Sequence, residues 1–306
     1  MDNEIREISC ITDEETRLKA KKRRKQNIRY FFTVLFGRGI LAKISFVLVC
    51  IFILVAVFCP LLTSYTPFQQ ELSNALKGAS PQHLLGTDNL GRDLFTRIVY
   101  GARFSLSIGL LSSVWALVIG VALGLAAGYF GGIFGGLVMR LMDAQLSIPP
   151  LILALCLAAV FGGAVFSISL IIGISAVPGY VRVIYGQVLS LREYDYVEAA
   201  RLIGQGNFKI LFKHLLPNCF PTIIVMFTMG VGTAIMIESG LAYLGIGIKA
   251  PTPSWGVMIF EGYKYIFSSP HLALWPGIML MLLIISLSVV GDGLRDALDP
   301  KLRGKL

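Results

Sequence analysis

The chain has 306 residues, 55% of them hydrophobic and only 15% charged, with a formal net charge of +9. Soluble domains carry roughly 25% charged residues, so this composition excludes an ordinary soluble protein and points to a membrane one. The first 43 residues hold 11 Lys/Arg against 6 Asp/Glu; that excess reads as the basic flank of a first span, compatible with anionic lipid, and not as a nucleic-acid surface.

Three parts follow along the chain: a basic tail at 1–43, a first span with an extracytoplasmic segment at 44–98, and a core at 99–306. The apolar run 44–62 is long enough to cross a bilayer, so it reads as a retained span and not a cleaved signal. Residues 63–98 are rich in turn formers. Asp88 is expected to cap a short amphipathic interfacial helix starting near Leu90, with Leu94, Ile98 and Gly101 on one face and Arg92, Arg97 and Arg103 in water or headgroups. Residues 104–139 hold no charge. Span two is expected at 104–127, a glycine turn at 128–136 and span three at 137–160, kinked at Pro149–Pro150. Gly120 and Gly124 read as packing glycines; Gly128, Gly132 and Gly136 read as turn glycines. Span four is expected at 167–189, span five at 218–237 and span six at 272–290, with a polar loop at 245–271. An even number of crossings puts both termini on one side, and the basic N-terminus makes it the cytoplasmic side.

No ATP-binding GxxxxGK[ST] occurs, and HExxH and GxSxG are also absent. The cysteines (Cys10, Cys50, Cys59, Cys156, Cys219) and histidines (His83, His214, His271) show neither metal spacing nor a disulfide framework. No catalytic, cofactor or metal site is expected. Arg182 and Glu238 are the charges nearest apolar spans. Snorkelling or local pairing explains them most simply, and a place on a substrate pathway is the alternative.

A membrane chain without an energy source should borrow one, and the segment 192–217 is where a soluble partner would reach it. "REYDYVEAARLIG" is a good helix former, with Glu198 and Arg201 spaced to pair. Ala199, Ala200 and Gly204 are small enough for another surface to approach the backbone. Gly206 and Asn207 would end the helix, and Phe208, Leu211, Phe212 and Leu215 would return the chain to the membrane.

"EAARLIG", nine residues, then "HLLP" resembles the EAA signature of ABC-importer permeases. His214 stands where the general pattern has Ile, a variant familiar in the peptide and nickel importer branch. The segments at 83–109, 128–155, 238–259 and 291–302 resemble the C-type permease subunits of dipeptide and oligopeptide importers. The resemblance implies an all-α importer-type permease fold with six transmembrane helices and a cytoplasmic coupling helix between spans four and five. It implies that Glu198, Ala199, Ala200, Gly204, His214, Leu216 and Pro217 belong to the ATPase-docking segment. It also implies the partners: a second, homologous permease, two ATPase subunits carrying ATP and Mg, and an extracytoplasmic binding protein. Di- or oligopeptides are the implied cargo; nickel, metal chelates or glutathione are the alternative within the family. A secondary transporter or channel is the rival from another class. It calls for intramembrane ionisable groups or an inverted repeat, neither of which is evident.

Overall fold

The computed structural model describes residues 33–37 and 39–298. Most of the basic tail and the C-terminal Lys301, Arg303 and Lys305 lie outside the described residues. Nine helices carry the described fold: α1 Ile40–Leu62, α2 Leu94–Phe130, α3 Gly132–Leu146, α4 Pro150–Phe161, α5 Val165–Leu191, α6 Asp195–Leu202, α7 Asn207–Tyr243, α8 Trp255–Tyr263 and α9 His271–Leu298. Five of them are long and apolar enough to cross a membrane, and α3 with α4 makes a sixth crossing if that bent pair counts as one. The crossings therefore fall where the apolar runs place them, but their ends differ.

α2 merges two expected elements. The helix read as interfacial continues without a break into span two, giving 37 residues and a length of about 55 Å. Its cap is Asp93, not Asp88: the Asp93 carboxylate accepts from the Thr96 amide at 2.8 Å and the Thr96 hydroxyl at 2.7 Å. Asp88 instead organises the preceding turn, accepting from the amides of Leu90 at 2.9 Å and Arg92 at 3.0 Å. Arg92 and Arg97 are each only 1% exposed, so neither reaches water or headgroups. Arg92 Nε donates to Asp88 at 2.5 Å, and both guanidinium groups reach Glu261 of α8, at 3.0 and 3.1 Å. A buried charge is tolerated only with such partners. This cluster fastens the 63–93 segment and the start of α2 to α8. That helix forms inside the stretch read as a loop, capped by Ser254. Its Trp255 is buried, donates Nε1–H to the Ile98 carbonyl at 3.0 Å and leaves no room for a side chain at Gly101.

The central interface is α2 against α5. A Cβ at Gly120, Gly124 or Gly128 would fall 2.4, 2.9 or 2.8 Å from the Cβ of Tyr180, Ile184 or Val188. Gly173 of α5 returns the fit against Trp115, where the gap would be 2.6 Å. The contacts ascend together in both helices, so α2 and α5 run parallel along a seam of small residues. Gly128 thus packs, against the expectation of a turn. The turn itself contracts to Gly131 and Gly132, with φ of +59° and +54°. Gly136 lies inside α3.

The kink expected at Pro149–Pro150 is a full break. α3 and α4 meet at 87°, with Pro150 in the first turn of α4; there a proline costs no helical hydrogen bond. Pro178, by contrast, lies within an unbroken α5. Cys59 and Cys219 are buried as small hydrophobes, whereas Cys156 is exposed on α4, and none of the described cysteines is bridged.

Candidate functional site

α6 is eight residues long, with Asp195 and Glu198 in its first turn and Arg201 in its last. That charge order suits the helix dipole. Its inner face is Val197 and Ala200, both buried in one apolar cluster that also holds Ile184 and Val188 of α5, Leu125 and Tyr129 of α2, and Ile210, Leu215 and Cys219 of α7. Fully burying a Val side chain contributes roughly 1.5–3 kcal/mol, so α6 is held chiefly by this apolar seat.

Polar ties fix its angle. The Tyr129 hydroxyl donates to Asn207 Oδ1 at 2.9 Å, and the Arg201 guanidinium lies 4.9 Å from the Tyr129 ring centroid. Arg201 therefore stacks on α2, and no Glu198–Arg201 ion pair forms. Arg192 donates to the Gly128 carbonyl at 3.3 Å.

Gly204 ends α6, not Gly206 or Asn207. Its φ is +74°. The Gly204 amide donates to the Arg201 carbonyl at 2.9 Å and the Gln205 amide to the Ala200 carbonyl at 3.1 Å. That pair of bonds is the Schellman cap, and it needs a left-handed residue at this position. A Cβ at Gly204 would meet nothing within 4 Å, so the glycine is required by its backbone and its open side faces outward.

Asn207 begins the next helix. The base of α7 carries a π-helical turn at Leu211–Leu215, which turns His214 toward the loop. Its Nε2 lies 3.0 Å from Gln205 Oε1, directly after the cap. Asn218 donates to the His214 carbonyl at 2.6 Å and to the Tyr196 hydroxyl at 3.3 Å, while its own carbonyl accepts from Gln187 of α5 at 3.1 Å. The HLLPN stretch is thus the clasp between α5, α6 and α7. Tyr129, Gln187, Gln205 and Asn218 were not singled out in the sequence; Tyr129 lies within the family-like segment 128–155, and Gln205 and Asn218 directly follow the EAARLIG and HLLP motifs.

The expected docking residues divide. Glu198, Ala199 and Gly204 are exposed; Ala200 faces inward; His214 and Leu216 are half-buried; Pro217 is exposed at the base of α7. Beside the exposed set, Leu202, Ile203 and Phe208 are 82%, 75% and 78% exposed. Uncovered apolar side chains grouped in this way suit contact with a partner protein or with lipid. Arg182 pairs with Asp143 at 2.5 Å, both side chains 55% exposed. Glu238 is fully buried in α7, five residues before its end at Tyr243, with Oε1 lacking a hydrogen-bond partner. Arg182 is thus locally paired, one of the two expected explanations, and the burial of Glu238 excludes snorkelling for that group.

Residues 116–304 match the family model described as the binding-protein-dependent transport system inner membrane component, and residues 36–81 match the N-terminal TM domain of oligopeptide transport permease C. The chain belongs to the binding-protein-dependent permease family. The dipeptide transport system permease protein DppC of Alkalihalophilus pseudofirmus is 43% identical, over 86% of this chain and 86% of its own length. The di/tripeptide transport system permease protein DppC of Pseudomonas aeruginosa is 39% identical, over 87% and 89%. The glutathione transport system permease protein GsiD of Escherichia coli is 36% identical, over 88% and 89%. Among solved structures, an inward-facing form of the MetNI methionine ABC transporter aligns with a TM-score of 0.53 at 22% identity, covering 67% of this permease and 98% of that chain. That likeness shows the importer-type permease fold. The chain is accordingly the membrane-spanning permease component of an ABC importer.

Proposed function

We propose that this permease conducts di- and oligopeptides inward across the cytoplasmic membrane, with both termini and α6 on the cytoplasmic side. α6 docks on one of two ATPase subunits that bind ATP and Mg. A second, homologous permease completes the pathway, and an extracytoplasmic binding protein delivers the cargo. The observation that carries this reading is α6 itself: a short helix seated on α2, α5 and α7 that presents Glu198, Ala199, Gly204 and the apolar Leu202, Ile203 and Phe208 outward. A rigid seat with an uncovered apolar rim suits a surface that must both grip a partner and transmit its movement. ATP-driven closure of the ATPases would move α6, and α6 would move the helices it sits on.

The peptide assignment is supported by the dipeptide and di/tripeptide relatives. Glutathione is the alternative cargo, favoured by the 36% identical relatives. Purified complete transporter in proteoliposomes should take up labelled dipeptide in an ATP-dependent way, with glutathione as competitor. Uptake of glutathione but not dipeptide would move the cargo to the alternative. A complex in which the ATPases fail to co-purify with this chain would overturn the docking reading.

A further inference from the structure

α5 carries 27 residues, about 40 Å of helix against about 30 Å of hydrocarbon. Arg182 lies nine residues before its end at Leu191, about 14 Å along the axis. Asp143 lies eleven residues into α3 from Gly132, about 17 Å from the same end of the bundle. Both charges are therefore at hydrocarbon depth, and both side chains are 55% exposed. A half-exposed ion pair facing lipid there is expensive. Arg182 does not reach for a headgroup; its guanidinium is held by Asp143.

A second observation gives the same face an aqueous character. The α3–α4 break at Ser147–Pro149 begins four residues beyond Asp143, and its residues are exposed. Irregular backbone at membrane depth is tolerated only against protein or water, and broken helices tend to mark substrate paths. On α5, Gly179 and Gly186 flank Arg182 in one stripe and have open space where a side chain would stand. Next to Gly179 a cavity of about 190 Å³ opens between α2, α5 and α7. The buried hydroxyls of Ser112 and Ser113 line it without a hydrogen-bond partner. Orphaned polar groups in a space of that size suit water or a polar guest.

The pair itself is incompletely used. One guanidinium nitrogen meets one carboxylate oxygen. Among the described residues, the other Arg182 donors and Asp143 Oδ2 have no partner. A guanidinium with a free edge is the group best shaped for a second carboxylate. We propose that Arg182 is a membrane-depth contact for a carboxylate of the cargo, and that Asp143 holds the guanidinium while no cargo is present. This rests on the importer reading above and adds a residue and a ligand chemistry to it.

The test uses complete transporter in proteoliposomes, with its binding protein and labelled dialanine as the probe. Three variants are compared: Arg182→Asp, the charge-exchanged Arg182→Asp/Asp143→Arg, and the neutral Arg182→Gln/Asp143→Asn. If Arg182 reads the carboxylate, all three assemble and keep ATPase activity stimulated by the binding protein. Uptake at limiting dialanine then falls about tenfold or more, and the exchanged pair does not restore it. Restoration by the exchanged pair to within about twofold would mean a structural tie between α3 and α5, and would overturn the proposal. Loss of assembly in the neutral variant would overturn it in favour of a contact with the second permease. A wild-type complex that takes up no dialanine would instead sink the peptide reading on which the proposal rests.

Discussion

Replacing Gly204 separates two roles that coincide at one position. Its φ of +74° and the two cap bonds make it the left-handed end of α6, while the space beyond it is empty for 4 Å. Ala in a left-handed conformation costs about 1–2 kcal/mol, a factor of roughly 5–30 in the local equilibrium between capped and frayed helix. Asn tolerates that conformation better. Trp adds the same backbone cost and a large side chain that leaves from a Cβ with no atom of this chain within 4 Å. Hydrogen exchange over residues 195–205 of the purified permease reads the cap, and it should loosen in Gly204→Ala more than in Gly204→Asn. Uptake and ATPase co-purification in the complete transporter read the docking. Gly204→Trp should abolish both while membrane insertion stays intact. If uptake and ATPase association both survive Gly204→Trp, the outward face of Gly204 meets no partner and the docking role is wrong.

Gly124→Leu should lower the midpoint of thermal unfolding in detergent, because even its Cβ would stand 2.9 Å from Ile184 Cβ and from the Val181 carbonyl oxygen. Overpacking of that kind costs about 1–3 kcal/mol, and an unchanged midpoint would contradict a tight α2–α5 seam. Arg92→Ala leaves Asp88 and Glu261 facing each other with one cation fewer. Breaking a buried ion pair from one side costs about 3–5 kcal/mol, so that variant should fail to accumulate or should melt at a clearly lower temperature. Wild-type-like melting would show that Arg97 alone neutralises the cluster.

The crossings were legible because uninterrupted apolar length is a local property. The boundaries were not, because they depend on distant partners. Arg92 and Arg97 argue for water when read alone; Glu261, which lets them be buried, is more than 160 residues away. That single pairing explains why an expected interfacial helix became the first turns of α2, and why an expected loop holds α8. Gly128 misled for a related reason. Its sequence neighbours are glycines, but its fate is decided by Val188 on α5. At the site, the EAA and HLLP stretches announced the loop, yet the roles within it depend on which side of α6 each residue occupies. Ala200 looks as approachable as Ala199 in sequence, and the helix turns it inward, into the cluster that holds Ile210 and Leu215. His214 marked a branch of the family in sequence; in three dimensions it is a strut reaching Gln205.

The glycine seam also limits how the bundle can deform. Its notches recur every four residues, at Gly120, Gly124 and Gly128, each filled by a side chain of a helix running the same way. Sliding α2 along α5 by a fraction of that spacing would drive Tyr180, Ile184 and Val188 out of their notches and onto backbone. The next vacant registration is a full step of about 6 Å. Small axial shear is therefore locked out, like a toothed rack that is either engaged or one tooth over. A push delivered at α6, as proposed above, would not dissipate as slip between α2 and α5, two of the helices that seat it; it would turn them together, as one stiff bar.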